Sequence, residues 1–149
     1  MNNPFRPSGA SPGALPADAT LIAAVRAVLP EARGAWLFGS AARGQLRAGS
    51  DIDLAVVVPD PLNAWQRYDA AAHLALRLGR DVDLLDQRRL SPVMQVQILA
   101  TGRELFSDDP GDDLRAHARA LRDWQDLQRW RRPMMRALAQ RLTAAGAPA

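Results

Sequence analysis

The chain has 149 residues, of which 48% are hydrophobic and 23% are charged, and this composition is typical of a folded globular domain. Cysteine is absent and only two histidines occur, which excludes disulfides and thiolate metal sites and disfavours a histidine-based zinc site. Because no apolar run approaches the ~20 residues of a membrane span and the first residues lack the basic and apolar regions of a secretory signal, we expect a cytoplasmic protein without membrane contact.

Sequence patterning divides the chain into three parts. Residues 1–14 are rich in Pro, Gly, Ser and Asn, which predicts a disordered tail. Residues 15–110 alternate between helical and extended patterns and form the predicted core. Residues 111–145 form a predicted helical segment that packs on the core or on a partner.

Apolar periodicity and turn residues predict the elements of the core in chain order. They are a helix at 16–29, a strand at 34–38, a loop or single helical turn at 41–49, a strand at 51–58, a helix at 62–79, a strand at 81–85, a helix from Ser91-Pro92 to 101, and an edge strand at 104–106. Trp65, Ala72 and Leu76 are expected to form one face of the 62–79 helix. This order indicates an α/β or α+β domain that is built on a small sheet.

The C-terminal helix is predicted from Asp112 to about Leu142, with a kink or a break at Pro133. Its apolar residues recur every three or four positions. They include Trp124 and Trp130, which we expect to lie in the core, although base stacking or anchoring of a partner is also compatible with this spacing. All 19 basic residues of the chain are arginine, and eight of them lie in this last segment, against four Asp. That excess indicates either an acidic or phosphate-bearing partner or a solvated helix face.

Two carboxylates stand at the head of the predicted 51–58 strand, which is otherwise apolar on both faces. Side chains alternate along a strand, so Asp51 and Asp53 project to the same face. Unpaired carboxylates at such a place are costly, and a divalent cation such as Mg²⁺ or Mn²⁺ compensates them most simply. If the next strand is a neighbour, Asp83 completes a cluster that could hold two cations ~3.5–4 Å apart for a phosphoryl or nucleotidyl displacement. Asp81 or Asp86 could instead be the third acid.

Gly39 and Ser40 follow the 34–38 strand directly. A glycine there lets backbone amides approach a phosphate closely, Ser40 adds a hydroxyl donor, and Arg43 could add positive charge to a triphosphate tail. The alternative is structural, with the two strand aspartates forming salt bridges to Arg43 or Arg47. By itself a Gly-Ser pair has little value, but followed after ten residues by Asp-x-Asp it becomes specific.

The segment "GSAARGQLRAGSDIDLAVVV" resembles the signature of the polymerase-beta-like nucleotidyltransferase superfamily. Together with "LFGSAARG", "VDLLD" and "ILATGRELF", it is similar to the minimal nucleotidyltransferases over residues 20–110 and, more loosely, over the terminal helix. The resemblance implies a small mixed sheet flanked by helices, with ATP as donor and two Mg²⁺ ions. It implies Gly39 and Ser40 as triphosphate ligands, Asp51 and Asp53 as ligands of both metals, and Asp83 as ligand of the catalytic metal and acceptor of the hydroxyl proton.

The resemblance also implies a partner, because little chain remains after the nucleotide site to hold an acceptor. Minimal nucleotidyltransferases often occur beside a HEPN ribonuclease toxin and silence it by transferring AMP to a tyrosine. We therefore expect an antitoxin of this kind. A small-molecule nucleotidyltransferase that works as a dimer, or a protein that inhibits its partner by masking it without catalysis, are the alternatives. The modest arginine excess, with no interleaved aromatic platform, argues against direct nucleic-acid binding.

Overall fold

The computed structural model describes residues 14–146 of the chain. Over this range it contains five α-helices and four strands: α1 (Asp18–Val28), β1 (Gly34–Phe38), α2 (Gly39–Ala42), β2 (Ile52–Val57), α3 (Ala64–Leu78), β3 (Val82–Asp86), α4 (Pro92–Thr101), β4 (Arg103–Ser107) and α5 (Pro110–Ala144). The predicted helices and strands of the core are confirmed to within two residues, including the Ser91 cap of α4. The predicted tail lies outside the described residues, apart from its last residue.

The strands form one mixed sheet in the order β3-β2-β1-β4. β1 runs antiparallel to both β2 and β4, whereas β2 runs parallel to β3 because α3 crosses over between them. β2 is therefore an inner strand, as its apolar composition on both faces predicts. The mixed sheet with flanking helices confirms the predicted fold class.

The two faces of β2 face two separate apolar clusters. Ile52, Leu54 and Val56 point to the larger cluster, in which residues of α1 and α3 are buried. Ala55 and Val57 point the other way, into a smaller cluster with Trp36 and with Ile98 of α4. Since Asp53 belongs to the same alternation as Ala55 and Val57, it lies on the face that α4 covers, at the end of the strand that stays open.

A side chain of α1 contacts β4 and the residue that follows it, at the edge of the sheet. Arg26 donates hydrogen bonds to both carboxylate oxygens of Asp108, at 2.5 and 2.8 Å, and its guanidinium lies 3.8 Å from the centre of the Phe106 ring. These hydrogen bonds hold the pKa of Asp108 below its ordinary value. The pair is exposed, so it orients β4 more than it stabilises the fold.

The predicted apolar face of α3 is wrong. Trp65 is 71% exposed and Leu76 is 69% exposed, and Ala72 is exposed as well. The helix instead buries Ala70, Leu74 and Leu78. Alanines occupy several sides of this helix, so the sequence does not distinguish the buried side from the exposed one.

α5 is a single helix of 35 residues that continues through Pro133. Pro133 therefore does not divide it, although the missing N–H leaves the carbonyl of Arg129 without its usual helical donor. The expectation that Trp124 and Trp130 lie in the core is wrong for Trp130, which is 80% exposed, while Trp124 is half-buried. The first half of α5 packs on α4 and the second half extends away from the core. Across residues 14–146, none of these helices combines the length and the apolarity that crossing a bilayer requires.

Candidate active site

The open end of β2 brings two predicted site residues, Asp53 and Asp83, side by side, and a third, Asp51, precedes the strand. Asp53 lies opposite Phe38 in the antiparallel pairing with β1 and opposite Asp83 in the parallel pairing with β3. Asp51 precedes β2 and is exposed. The expected adjacency of Asp53 and Asp83 is thus confirmed, because the parallel register places one beside the other.

Gly39 lies directly against the Asp53 carboxylate. Its φ of +67° is in the left-handed region, and a Cβ added at this position would overlap Asp53 Oδ2 and lie 2.9 Å from Asp53 Cγ. Ser40 follows in the single turn of α2. The Gly-Ser pair and the Asp-x-Asp pair, which are distant in the sequence, therefore form one surface at the end of β1 and β2.

Negative charge accumulates at this surface. The pKa of Asp53 is raised above its ordinary value of 3.8, first by burial and then by the carboxylates of Asp83 and Asp51, while the positive charge of Arg43 opposes the shift. Within residues 14–146, no three Asp, Glu or His side chains are gathered closely enough to enclose a metal ion. The donor set is nevertheless all oxygen and mutually repulsive, which is the chemistry that a hard divalent cation compensates.

The salt-bridge alternative finds no support in this geometry. In the part of the chain that the structure describes, neither Arg43 nor Arg47 forms an ion pair with Asp51 or Asp53. Arg43 Nε donates only a long hydrogen bond of 3.4 Å to Gln45 Oε1. Arg43 therefore stays available beside the carboxylates.

A polymerase beta nucleotidyltransferase family model matches residues 22–111 of the chain, a range that contains the whole sheet. The chain belongs to this family. It is 35% identical over 108 residues, 72% of this chain and 77% of the relative, to the protein adenylyltransferase MntA of Shewanella oneidensis. These matches confirm the predicted family.

Two solved structures extend the likeness beyond the family domain. One is a toxin–antitoxin structure with AMP-PNP, 32% identical, with a TM-score of 0.73 over 82% of this nucleotidyltransferase and 98% of that chain. The other is a tri-AMPylated HEPN toxin of Shewanella oneidensis in complex with its MNT antitoxin, 30% identical, with a TM-score of 0.66 over 82% and 95% of the two chains. The fold is therefore shared with antitoxins that were solved together with their toxins.

The other two candidates for the third acid of this nucleotidyltransferase differ from Asp83. Asp86 is 2% exposed, and its two carboxylate oxygens accept the backbone N–H groups of Leu62 at 2.9 Å and Arg88 at 3.1 Å. Asp81 precedes β3, where its backbone carbonyl accepts the N–H of Ile52 at 2.8 Å, and its side chain is exposed. Asp86 is thus a structural acid that fixes the segment before α3 and the turn after β3.

Replacing Asp86 by Ala is expected to destabilise the fold without removing metal-dependent nucleotide binding. Two backbone N–H groups would lose a charged acceptor, which costs about 2–3 kcal/mol of unfolding free energy in total. Urea unfolding followed by circular dichroism measures this loss, and titration with Mg-ATP measures binding. Unchanged stability, or loss of nucleotide binding in a folded variant, would contradict the structural role.

The structure also contains a separate cavity of about 510 Å³ that no sequence motif predicts. It lies between the turn after β3, α4 and the first half of α5, and its lining includes Gln87, Gln95 and His117. The buried Gln87 Oε1 and His117 Nε2 have no hydrogen-bond partner among the described residues, and the ring centres of His117 and Trp36 lie 6.0 Å apart. The lining residues come from four separate elements, since Val57 of β2 contributes as well, so no local pattern in the sequence indicates this cavity.

Proposed function

We propose that this nucleotidyltransferase transfers AMP from Mg-ATP to a tyrosine hydroxyl of a HEPN-type toxin and thereby acts as its antitoxin. The observation that carries the proposal is the contact of Gly39 with Asp53 and the placement of Asp53 beside Asp83. Similarity to a protein adenylyltransferase and to antitoxins solved with HEPN toxins supports the choice of reaction and partner.

Each site residue has a proposed role in that reaction. Gly39 and Ser40 bind the triphosphate with backbone amides and a hydroxyl, and Arg43 adds positive charge near its oxygens. Asp51, Asp53 and Asp83 would hold Mg²⁺, or Mn²⁺ in its place, with two ions expected. When bound, the metal would neutralise the carboxylates and the negative charge that develops on the α-phosphate.

The chemical step is a displacement at the α-phosphorus of ATP. The tyrosine oxygen forms a bond to the α-phosphorus, and the bond from this phosphorus to the bridging oxygen of pyrophosphate breaks. Asp83 accepts the hydroxyl proton, because it lies beside Asp53 at the open end of the sheet and is exposed to an incoming hydroxyl. The products are the AMP-modified tyrosine and pyrophosphate.

The charge environment of Asp53 argues against one of the two alternatives, a masking protein without catalysis. A masking protein gains nothing from a carboxylate whose pKa is raised first by burial and then by two neighbouring acids, because that arrangement destabilises the fold above the raised pKa. A small-molecule enzyme would use the same carboxylates, so only the acceptor distinguishes it. The preference for ATP over other nucleotides and the cytoplasmic location stay predictions.

Intact-mass spectrometry tests the proposal. The chain is purified with a HEPN-type protein from the same genome, incubated with magnesium and ATP, and compared with an Asp51→Asn/Asp53→Asn variant. We expect the partner to gain whole AMP units with the native chain and none with the variant. A complex without any mass gain would overturn AMP transfer to this partner and favour masking or a small-molecule acceptor.

A further inference from the structure

The second half of α5 presents an apolar stripe that nothing in the described chain covers. We call residues 127–144 the arm. One residue in each turn of the arm is large and apolar, and these side chains are 42–80% exposed: Leu127, Trp130, Met134, Leu138 and Leu142. With ~3.6 residues per helical turn, all five lie on one side of the helix. A patch of this kind on a soluble protein marks an interaction surface.

The stripe continues the packing face of α5. On the first half of the helix, the same side carries the buried Ala120, His117 against Trp36, and the half-buried Trp124. This side packs mainly on α4 and contacts the sheet through Trp36, which lies on the same sheet face as Asp53. The exposed stripe of the arm is therefore the continuation of a side of α5 that is already used for packing within this chain.

The charge of the arm indicates the chemistry of that partner. The arm contains five arginines and no acidic residue. Arg131 and Arg141 lie within the apolar stripe, whereas Arg129, Arg132 and Arg136 lie on the opposite side of the helix. No ion pair among the described residues involves any of these five. Two unpaired arginines inside an apolar stripe are complementary to a surface that combines apolar side chains with carboxylates.

A second copy of the chain fits this surface poorly, because two arms would bring together the arginines of both without a compensating acid. The relatives indicate a different kind of partner for α5. The two solved structures match 82% of this chain, whereas the residues before α5 make up less than that, because α5 begins at residue 110 of 149. Part of α5 is therefore shared with antitoxins that were solved with their toxins.

We propose that the arm is the docking surface for the HEPN-type toxin, through an acidic and apolar face of that partner. The inference rests on the proposed function for the identity of the partner. It adds which part of this chain holds the toxin and which chemistry recognises it. Trp130 is the expected anchor, since an exposed tryptophan surrounded by apolar residues is typical of the residues that dominate binding energy.

The test measures the dissociation constant of the complex between the full chain and a HEPN-type protein from the same genome. Trp130→Ser/Met134→Ser is compared with Trp65→Ser/Leu76→Ser, which removes equally exposed apolar side chains from α3. We expect the arm variant to weaken binding at least about thirtyfold and the α3 variant less than about threefold. Equal binding by both variants, or no complex with the native chain, would overturn the proposal.

A charge test uses two sides of the same helix. Arg131→Glu/Arg141→Glu lies in the stripe and Arg132→Glu/Arg136→Glu lies opposite, so both change the net charge equally. We expect the first to weaken binding at least about tenfold and the second less than about threefold, with native affinity falling as salt is raised. Equal losses would indicate unspecific attraction, as to a nucleic acid, and would overturn the proposal. The proposal would also be overturned if the native chain self-associates in sedimentation experiments and replacement of Trp130 abolishes that association.

Circular dichroism and Mg-ATP titration of each variant show whether the fold and the nucleotide site persist. Because the arm lies outside that site, both are expected to be unchanged. If the complex depends on the arm but no AMP is transferred, the docking inference stands and the proposed reaction fails. If the arm variants bind the HEPN-type protein with native affinity and still transfer AMP to it, the proposed reaction stands and the docking inference fails.

Discussion

Replacing Asp53 by Asn is expected to lower AMP transfer more than about a hundredfold and, at neutral pH, to raise the melting temperature of the chain. The loss of transfer follows because even outer partners of metal ligands contribute about 10–100-fold, and Asp53 is proposed as a direct ligand. The gain in stability follows from the raised pKa of Asp53, because its negative charge is held beside those of Asp83 and Asp51 in a partly buried position.

The sign of the pH dependence is opposite to that of an ordinary salt-bridged aspartate. Since the pKa of Asp53 is higher in the folded chain than its ordinary 3.8, the folded state binds more protons than the unfolded state in this range. This carboxyl therefore lowers stability as pH rises from about 3.8 through its folded pKa. Below that window, native and Asp53→Asn chains are expected to melt alike, and above it the variant is expected to melt higher.

Thermal melts from acidic to neutral pH, without added metal, measure this difference. Asp81→Asn is the matched control, because Asp81 is an exposed acid at the start of the neighbouring strand. Added Mg²⁺ is expected to raise the melting temperature of the native chain more than that of Asp53→Asn, since a ligand stabilises only the state that binds it. A variant that melts lower than the native chain at neutral pH would show that Asp53 has stabilising contacts instead.

Replacing Gly39 by Ala is expected to impair both the fold and the site, through two separable effects. Any alanine in the left-handed region costs about 1–2 kcal/mol, and Gly39 has a φ of +67°. In addition, the new methyl group would overlap the Asp53 carboxylate and displace it from its place beside Asp83. We therefore expect loss of Mg-ATP binding and more than about a hundredfold loss of AMP transfer.

Gly44 separates the two effects. It has the same φ of +67°, but a Cβ added there has no heavy atom within 4 Å. Gly44→Ala is expected to show only the backbone cost, seen as a lower urea midpoint with transfer retained. If Gly44→Ala and Gly39→Ala lose transfer equally, the contact with Asp53 is not what makes Gly39 necessary.

The site was more predictable than its surroundings, for a physical reason. The alternation of side chains along β2 and the position of Gly39 after β1 are local properties, and they predict the neighbourhood of Asp51, Asp53 and Gly39. The choice of Asp83 as neighbour of Asp53 depends on the register between β2 and β3, which the sequence suggests only through the assumption that these strands pair. The burial of Asp86 depends on Leu62, 24 residues away, and no local pattern indicates it.

The errors on the helices have a different origin. A periodic apolar pattern indicates that one side of a helix avoids water, but it does not say which element covers that side. The spacing therefore predicts that Trp130 lies in the core, whereas its side chain is 80% exposed and no other element of the described chain covers it. On α3, the alanines make two sides nearly equivalent, and Trp65 lies on the exposed one.

The order of the strands also has a consequence for the newly synthesised chain on the ribosome. β1, α2, β2, α3 and β3 are consecutive in the sequence, so the surface that contains Gly39, Asp53 and Asp83 requires no residue after Asp86 for its strand pairing. The arm follows all of these elements in the sequence and emerges after them. Because domains fold as the chain appears, we expect the catalytic sheet to pair before the arm is available. A nascent chain would then gain its means of holding a toxin only after it has gained its means of modifying one.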